Sequence, residues 1–380
     1  MRFLIVSFIL AFWPGAAHAS SFLEIQERLD LLTEGENHYR AVGAAVVDRQ
    51  DVRFFQSGID AISPDSLVEI GSNTKIFSSL LLALAHVKGV TSLDGDINSA
   101  FGEQILPDEI NRTLTLRDLS THASGLPRLP DNLPSEDPSQ PYIGFGLAEL
   151  KAFMASLEWR KSEPESCASA EQSNPQDYSD IFGHEVRRKR SCYNYSNVGV
   201  SILGHAGART LSSTYERAVH DFISQPLSLI DTTFQLSESQ SSRKVLGYDD
   251  KDHPVAGWRH GVGASPAGAL YSTLADMSRF MVFFLKSLAS PNSDLARAAQ
   301  LTTTETRVLS AGSQEITLGL GWHVTTSKSG RKIFWHNGGT AGFRSFMAID
   351  PVAERAVFVV SNTYLADSRI DATGFDILDR

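Results

Sequence analysis

The chain has 380 residues, 42% of them hydrophobic, enough for a large core in one big domain or two interlocked ones. A formal net charge of −10 excludes a nucleic-acid binder, which needs a basic face. The basic cluster Arg187-Arg188-Lys189-Arg190 reads as a solvated loop. The two cysteines, Cys167 and Cys192, lack Cys-x-x-Cys or His-x-x-x-His spacing, so no zinc site is expected.

In chain order, Arg2 precedes an apolar run over residues 3–13, and Ala17-His18-Ala19 stands before Ser20. A positive start, an apolar stretch and a small-residue cleavage site make a signal peptide over residues 1–19. The run is about eleven residues, against roughly twenty needed to span a bilayer. The mature chain is expected to start near Ser20, periplasmic or secreted, with no later transmembrane segment. In an exported protein an even cysteine pair favours a Cys167–Cys192 disulfide. Its loop of about 25 residues would make it worth about 3 kcal/mol.

Residues 21–32 have helical spacing, and residues 42–48 and 52–58 form a predicted β-hairpin around Arg49-Gln50-Asp51. A helix is predicted from Ser72 to near Gly89, and a short one over residues 116–122, stopped by Ser124-Gly125-Leu126-Pro127. The Pro-, Asp- and Ser-rich stretch 128–141 is a loop. Further helices are predicted over 147–159, 195–209, 215–223 and 275–288, with a polar loop over 160–192. Strands follow at 318–325, 332–335, 344–350 and 356–361, then a helix from Asp367. Strands at both ends with helices between them predict a sheet domain (20–71 and 255–380) holding an inserted helical domain (72–254).

Three constellations carry chemistry. In Glu69-Ile70-Gly71-Ser72-Asn73-Thr74-Lys75, Ser72 opens an apolar helix and Lys75 lies one turn on, on the same face. An amine then flanks a hydroxyl at the positive end of a helix, as an activated nucleophile requires. The same Ser-x-x-Lys spelling at Ser241/Lys244 and Ser329/Lys332 opens no long apolar helix. Tyr195-Ser196-Asn197 sits at a loop-to-helix junction, and is either a reactive pair or a packed tyrosine with an asparagine cap. Beside the Lys75 ammonium, the Tyr195 phenol is expected to have a lowered pKa and to be able to take the serine proton. His336-Asn337-Gly338-Gly339-Thr340 ends a strand, and its glycines let a substrate backbone lie along the strand edge. The rival spellings are His205-Ala206-Gly207, inside an apolar helix, and Lys328-Ser329-Gly330, in a predicted hairpin turn.

Together, Ser72-x-x-Lys75, Tyr195-x-Asn197 and His336-x-Gly338 resemble the three motifs of the penicillin-recognising serine hydrolases. The nearest branch is that of class C β-lactamases with their DD-peptidase and esterase relatives. Thr121-His122-Ala123-Ser124-Gly125-Leu126-Pro127, Leu270-Tyr271-Ser272-Thr273 and Gly319-Leu320-Gly321-Trp322 extend the likeness. The resemblance implies an α/β plus all-α fold, with an antiparallel sheet flanked by helices and the active site between sheet and helical domain. It also implies an acyl-enzyme on Ser72, acid–base work by Lys75 and Tyr195, an oxyanion hole of the Ser72 and Gly339 N–H groups, and a substrate amide held by Asn197. It implies no cofactor and no metal.

Two departures stand out. His336 replaces the usual lysine of the lactamases, and Gly339 lacks a hydroxyl for a substrate carboxylate; Thr340 or Arg344 is the candidate compensation. These changes resemble the peptidase- and esterase-like branches more than efficient β-lactamases, and the leading expectation is a D-alanyl-D-alanine carboxypeptidase/endopeptidase acting on peptidoglycan peptides. The alternatives are a β-lactamase, a small-ester hydrolase, or a non-catalytic penicillin-binding or sensor protein.

Overall fold

The structure, a computed structural model, describes residues 14–35, 38–49, 51–60, 62–157, 192–304, 306–311 and 314–379. Most of the expected signal peptide, Cys167, the greater part of the 160–192 loop and the basic cluster at 187–190 lie outside them.

Helix α1 (Pro14–Thr33) leads into the hairpin of β1 (Ala41–Asp48) and β2 (Asp51–Gly58). Asp48 lies opposite Asp51, and Arg49 takes the left-handed conformation (φ 57°) at the turn. The chain then runs through α2 (Thr74–Val87), α3 (Leu116–Ser120), α4 (Leu147–Ala155), α5 (Asn197–Thr210), α6 (Leu274–Ala289) and α7 (Asp294–Thr304). It returns to the sheet as β3 (Arg307–Ala311), β4 (Gln314–Leu318), β5 (His323–Thr326), β6 (Lys332–Gly339), β7 (Arg344–Asp350) and β8 (Arg355–Ser361), and closes with α8 (Arg369–Leu378).

The eight strands form one antiparallel sheet in the order β2-β1-β8-β7-β6-β5-β4-β3. The β1–β8 pairing, Val42 opposite Ser361 and Asp48 opposite Arg355, joins the two ends of the chain. Side chains alternate across a strand, and here both faces are covered. Val42, Ala44 and Val46 pack in the layer under α1 and α8, while Ala41, Ala45 and Val47 pack on the side of α6. On that second side α2 lies between α5 and α7. Its residues 74–85 are all buried, and a helix apolar nearly all round belongs in a core.

Three elements depart from the sequence expectation. The strand expected over 318–325 is broken: β4 ends at Leu318, and Gly319-Leu320-Gly321-Trp322 forms a turn closed by the Gly319 N–H to the Trp322 carbonyl at 2.9 Å. Leu320 and Trp322 are buried there, and Gly321 (φ 75°) presses on α2, where a Cβ would stand 2.6 Å from Ser79 Oγ. Helix α7 went unpredicted because its buried face is made of Ala296, Ala299 and Thr303, small residues with weak apolar contrast. The half-exposed edge strand β3 lacks a clean alternation. Replacing Gly321 by alanine should lower unfolding stability by about 2 kcal/mol, from the disfavoured φ and the clash with α2. Urea unfolding followed by circular dichroism checks it.

Candidate active site

Ser72 lies in a 3₁₀ turn (Gly71–Asn73) that feeds α2, one step earlier than the expected α-helical start. The turn is clamped from both sides. The Ile70 N–H donates to the Leu270 carbonyl (3.1 Å), Asn73 Nδ2 donates to Ser345 Oγ (2.9 Å), and Ser345 Oγ donates to the Ile70 carbonyl (2.9 Å). Gly71 takes φ 52° with the backbone of Gly339 directly above it, where a Cβ would stand 2.8 Å from Gly339 N.

Lys75 follows one turn later and is 1% exposed. Its Nζ donates to the Ala267 carbonyl at 2.5 Å and lies 2.9 Å from Ser72 Oγ. Burial, reinforced by the charge of Arg128, holds the amine well below the usual lysine range. With no carboxylate to offset that desolvation, the neutral amine is favoured, and its lone pair can face the serine hydroxyl.

Helix α5 brings the second motif. Ser196 caps it, accepting from the Gly199 N–H (2.8 Å) and donating to the Pro127 carbonyl (2.7 Å). The Ser196 N–H donates to His122 Nδ1 (3.2 Å), which puts that imidazole's proton on Nε2, and the Asn197 N–H donates to the Arg128 carbonyl (2.9 Å). The turn at 121–128 therefore sets where Tyr195 stands. Tyr195 shares the cleft wall with Ser72, and Lys75 Nζ lies 5.0 Å from its ring centre. Burial pushes its pKa up, not down as the sequence suggests, because desolvation outweighs the stabilising contacts and Lys75 carries little charge. Asn197 Nδ2 donates to Tyr142 Oη (3.2 Å), and its Oδ1 is buried without a partner.

Strand β6 brings the third motif past the end of its neighbour. Its pairing with β5 stops at Trp335, opposite His323. Across from β7, the Thr340 N–H donates to the Phe343 carbonyl (3.1 Å). By antiparallel alternation, Gly338–Ser345 is then a hydrogen-bonded pair and Gly339–Arg344 is not, so the Gly339 N–H points off the open edge. The glycine at 338 is obligatory, since a Cβ there would lie 2.2 Å from the Ile70 carbonyl and 3.1 Å from Ser72 N.

A cleft of about 640 Å³ opens over these groups, lined by Ser72, Tyr195, Asn197, Gly338, Gly339 and Arg344 among others. His336 and Thr340, expected as substrate contacts, instead lie buried behind this wall, 1% and 2% exposed. The reason is strand alternation: Trp335 and Asn337 reach the cleft, while His336 turns inward, its ring centre 5.2 Å from His323 and 6.3 Å from Tyr195. Burial keeps its imidazole well below the usual range. Arg344 does reach the cleft, with Nη2 donating to the Asp367 carbonyl (2.9 Å) and 3.8 Å from Asp371, while its Nε has no partner.

The cleft also recruits Arg128, Tyr142, Tyr193, Trp258, His260 and His323, which the sequence reading missed. Most come from loops without periodicity, and only Arg128, directly after the Ser-Gly-Leu-Pro turn, had a nearby signal. Burial lowers His260 and His323 to about 4, so these imidazoles are neutral. The rival motifs fall elsewhere. His205 is buried inside α5 against the Val262 carbonyl, Lys244 pairs with Glu69, and residues 328–330 form the β5–β6 turn. Cys192 is buried and bridges to Ser310; with Cys167 undescribed, the disulfide stays an expectation.

Comparison with known proteins agrees with this arrangement. Residues 24–377 match the beta-lactamase family. The D-alanyl-D-alanine-carboxypeptidase/endopeptidase AmpH of Escherichia coli (strain K12) is 27% identical over 304 residues, 78% of this chain and 71% of that protein. A beta-lactamase of Lysobacter lactamgenus is 24% identical over 279 residues, 70% of this chain and 61% of its own length. In structure, the beta-lactamase/D-alanine carboxypeptidase of Pseudomonas syringae superposes with a TM-score of 0.75 at 17% identity, over 95% of this chain and 99% of that one. A class C beta-lactamase gives 0.74 at 19% identity, over 93% and 96%. The chain belongs to the beta-lactamase family, with a class C fold, and is a penicillin-recognising serine hydrolase.

Proposed function

We propose that the protein is an exported D-alanyl-D-alanine carboxypeptidase/endopeptidase that cleaves peptidoglycan peptides through an acyl-enzyme on Ser72. The observation that carries the chemistry is the desolvated Lys75 amine 2.9 Å from Ser72 Oγ. The likeness to AmpH supports the peptidase branch. So does Arg344, whose guanidinium flanks Gly339 and offers a C-terminal carboxylate the charge that His336 does not. On this reading the reaction takes place between a sheet unit (20–71 and 255–380) and a helical unit (72–254). Export would place the Cys167–Cys192 pair where a disulfide persists. No helix among the described residues is long and apolar enough to cross a membrane.

In the proposed sequence Lys75 takes the Ser72 proton as Oγ attacks the carbonyl, and the N–H groups of Ser72 and Gly339 hold the oxyanion. Asn197 Oδ1, buried and unpaired, accepts an amide N–H of the substrate. The phenol of Tyr195, kept protonated by its raised pKa, hands its proton to the leaving amine and regains one from Lys75. Water then attacks the ester, giving its proton to the Tyr195–Lys75 pair, and as the C–Oγ bond breaks the pair returns that proton to Ser72 Oγ and the acid is released.

Purified protein is expected to release D-alanine from a D-Ala-D-Ala peptide faster than it turns over nitrocefin or p-nitrophenyl butyrate; turnover of the ester alone would end the peptidase reading. Incubation with a penicillin should add its mass to the intact wild type and not to Ser72→Ala. Lys75→Met should lower kcat/KM by roughly 10²–10⁴-fold with little change in KM. The sign of the Lys75 shift fixes the pH dependence. Activity needs the neutral amine, so kcat/KM should fall on the acid side as Lys75 takes a proton, at a pH well below 10.5. The alkaline limb, from loss of the Tyr195 proton, should lie above pH 10. Arg344→Gln should raise KM for the peptide about tenfold, the value of one charge-assisted hydrogen bond.

A further inference from the structure

The charge lining the cleft is one-sided. Among the described residues its wall contains no aspartate or glutamate, and its histidines at 260 and 323 are neutral. Its two fixed cations are Arg344 and Arg128, and they sit on different walls. Arg344 belongs to β7, beside Gly339, and is tethered to Asp367 and Asp371. Arg128 belongs to the loop after α3, with its guanidinium 4.9 Å from the Tyr195 ring centre. Its carbonyl accepts the Asn197 N–H at 2.9 Å, which fixes its backbone at the start of α5, and both residues line the cleft. Arg128 is exposed, and among the described residues no carboxylate pairs with it.

We infer that Arg128 is a specificity residue that binds a carboxylate on the acyl side of the scissile bond, so that the preferred substrates carry an anionic group there. This deepens the proposed function and rests on its assignment of Ser72 as nucleophile and Asn197 as the group holding the acyl-side amide. A guanidinium held over a phenol ring is partly desolvated and pre-oriented, so a carboxylate reaching it gains a charge-assisted, two-pronged hydrogen bond. The surrounding Tyr142, Tyr193 and Trp258 supply apolar walls for the chain linking that carboxylate to the reacting carbonyl. Among the described residues the wall has no acid to repel such a substrate.

The test uses two closely matched esters, the p-nitrophenyl esters of N-butyrylglycine and N-succinylglycine, which carry a terminal methyl and a terminal carboxylate on chains of the same length. Wild-type protein is expected to prefer the succinyl ester by about tenfold in kcat/KM, expressed in KM. The preference should shrink as salt is raised, because the contact is partly solvated. Arg128→Gln should bring the ratio to about one, and Arg128→Lys should keep part of it. Removing Arg128 also removes a charge that depresses the Lys75 amine, but that slows both esters alike, so the ratio isolates the contact. A ratio near one in the wild type, or an undiminished ratio in Arg128→Gln, overturns the inference. Inertness toward D-Ala-D-Ala peptides with the ester preference intact overturns the peptidase reading alone. Inertness toward both esters overturns the Ser72 assignment and this inference together.

Discussion

The structure turns on an amine placed in a core helix without a counter-ion. Lys75 belongs to the buried helix α2, and among the described residues Nζ finds only the Ala267 carbonyl and the Ser72 hydroxyl. In water that amine would be charged and useless as a base. Buried here, its charged form is disfavoured, and the neutral amine is aimed at one hydroxyl. Most of the surrounding architecture keeps water and carboxylates away from this contact. The Gly319–Trp322 turn presses on α2 through Gly321, α5 and α7 cover its flanks, and the loop carrying Ala267 supplies the one acceptor.

The same desolvation orders the roles of the other polar groups. Tyr195 stays protonated, which suits it to donate a proton and makes it a poor base, and this burial is what supports the proposed division of labour with Lys75. His336 stands behind the cleft wall, where it cannot greet a substrate anion, and the third motif acts through its backbone: two glycines bring β6 against the Ser72 turn with an open N–H at Gly339. Positive charge for a substrate comes from side chains on other segments, Arg344 on β7 and Arg128 on the loop after α3. Charge in this cleft is thus moved from the central strand to its rims.

Much of this was legible in the chain. The hairpin at 42–58, the buried helix after Ser72, the capped helix after Ser196 and the central strands announce themselves by periodicity and turn residues, which are local properties. Small-residue helix α7 and the broken strand at 318–325 did not, because Ala and Thr give little contrast and the turn exists only to let Gly321 meet α2. Spacing also predicted that Ser72 and Lys75 share a face, since three residues make one turn whatever surrounds them.

By itself the sequence determined the candidate nucleophile Ser72, the amine one turn beyond it, and the motifs whose order marks the fold. Tertiary structure alone decided the protonation of those groups and the walls around them. A pKa depends on how much water and charge the whole fold leaves near an atom, so Tyr195 shifts upward although Lys75 is close by. Which face of β6 meets the cleft depends on its registry with β5 and β7, and that registry turned His336 inward, while other segments bring Arg344 and Arg128 to the cleft wall.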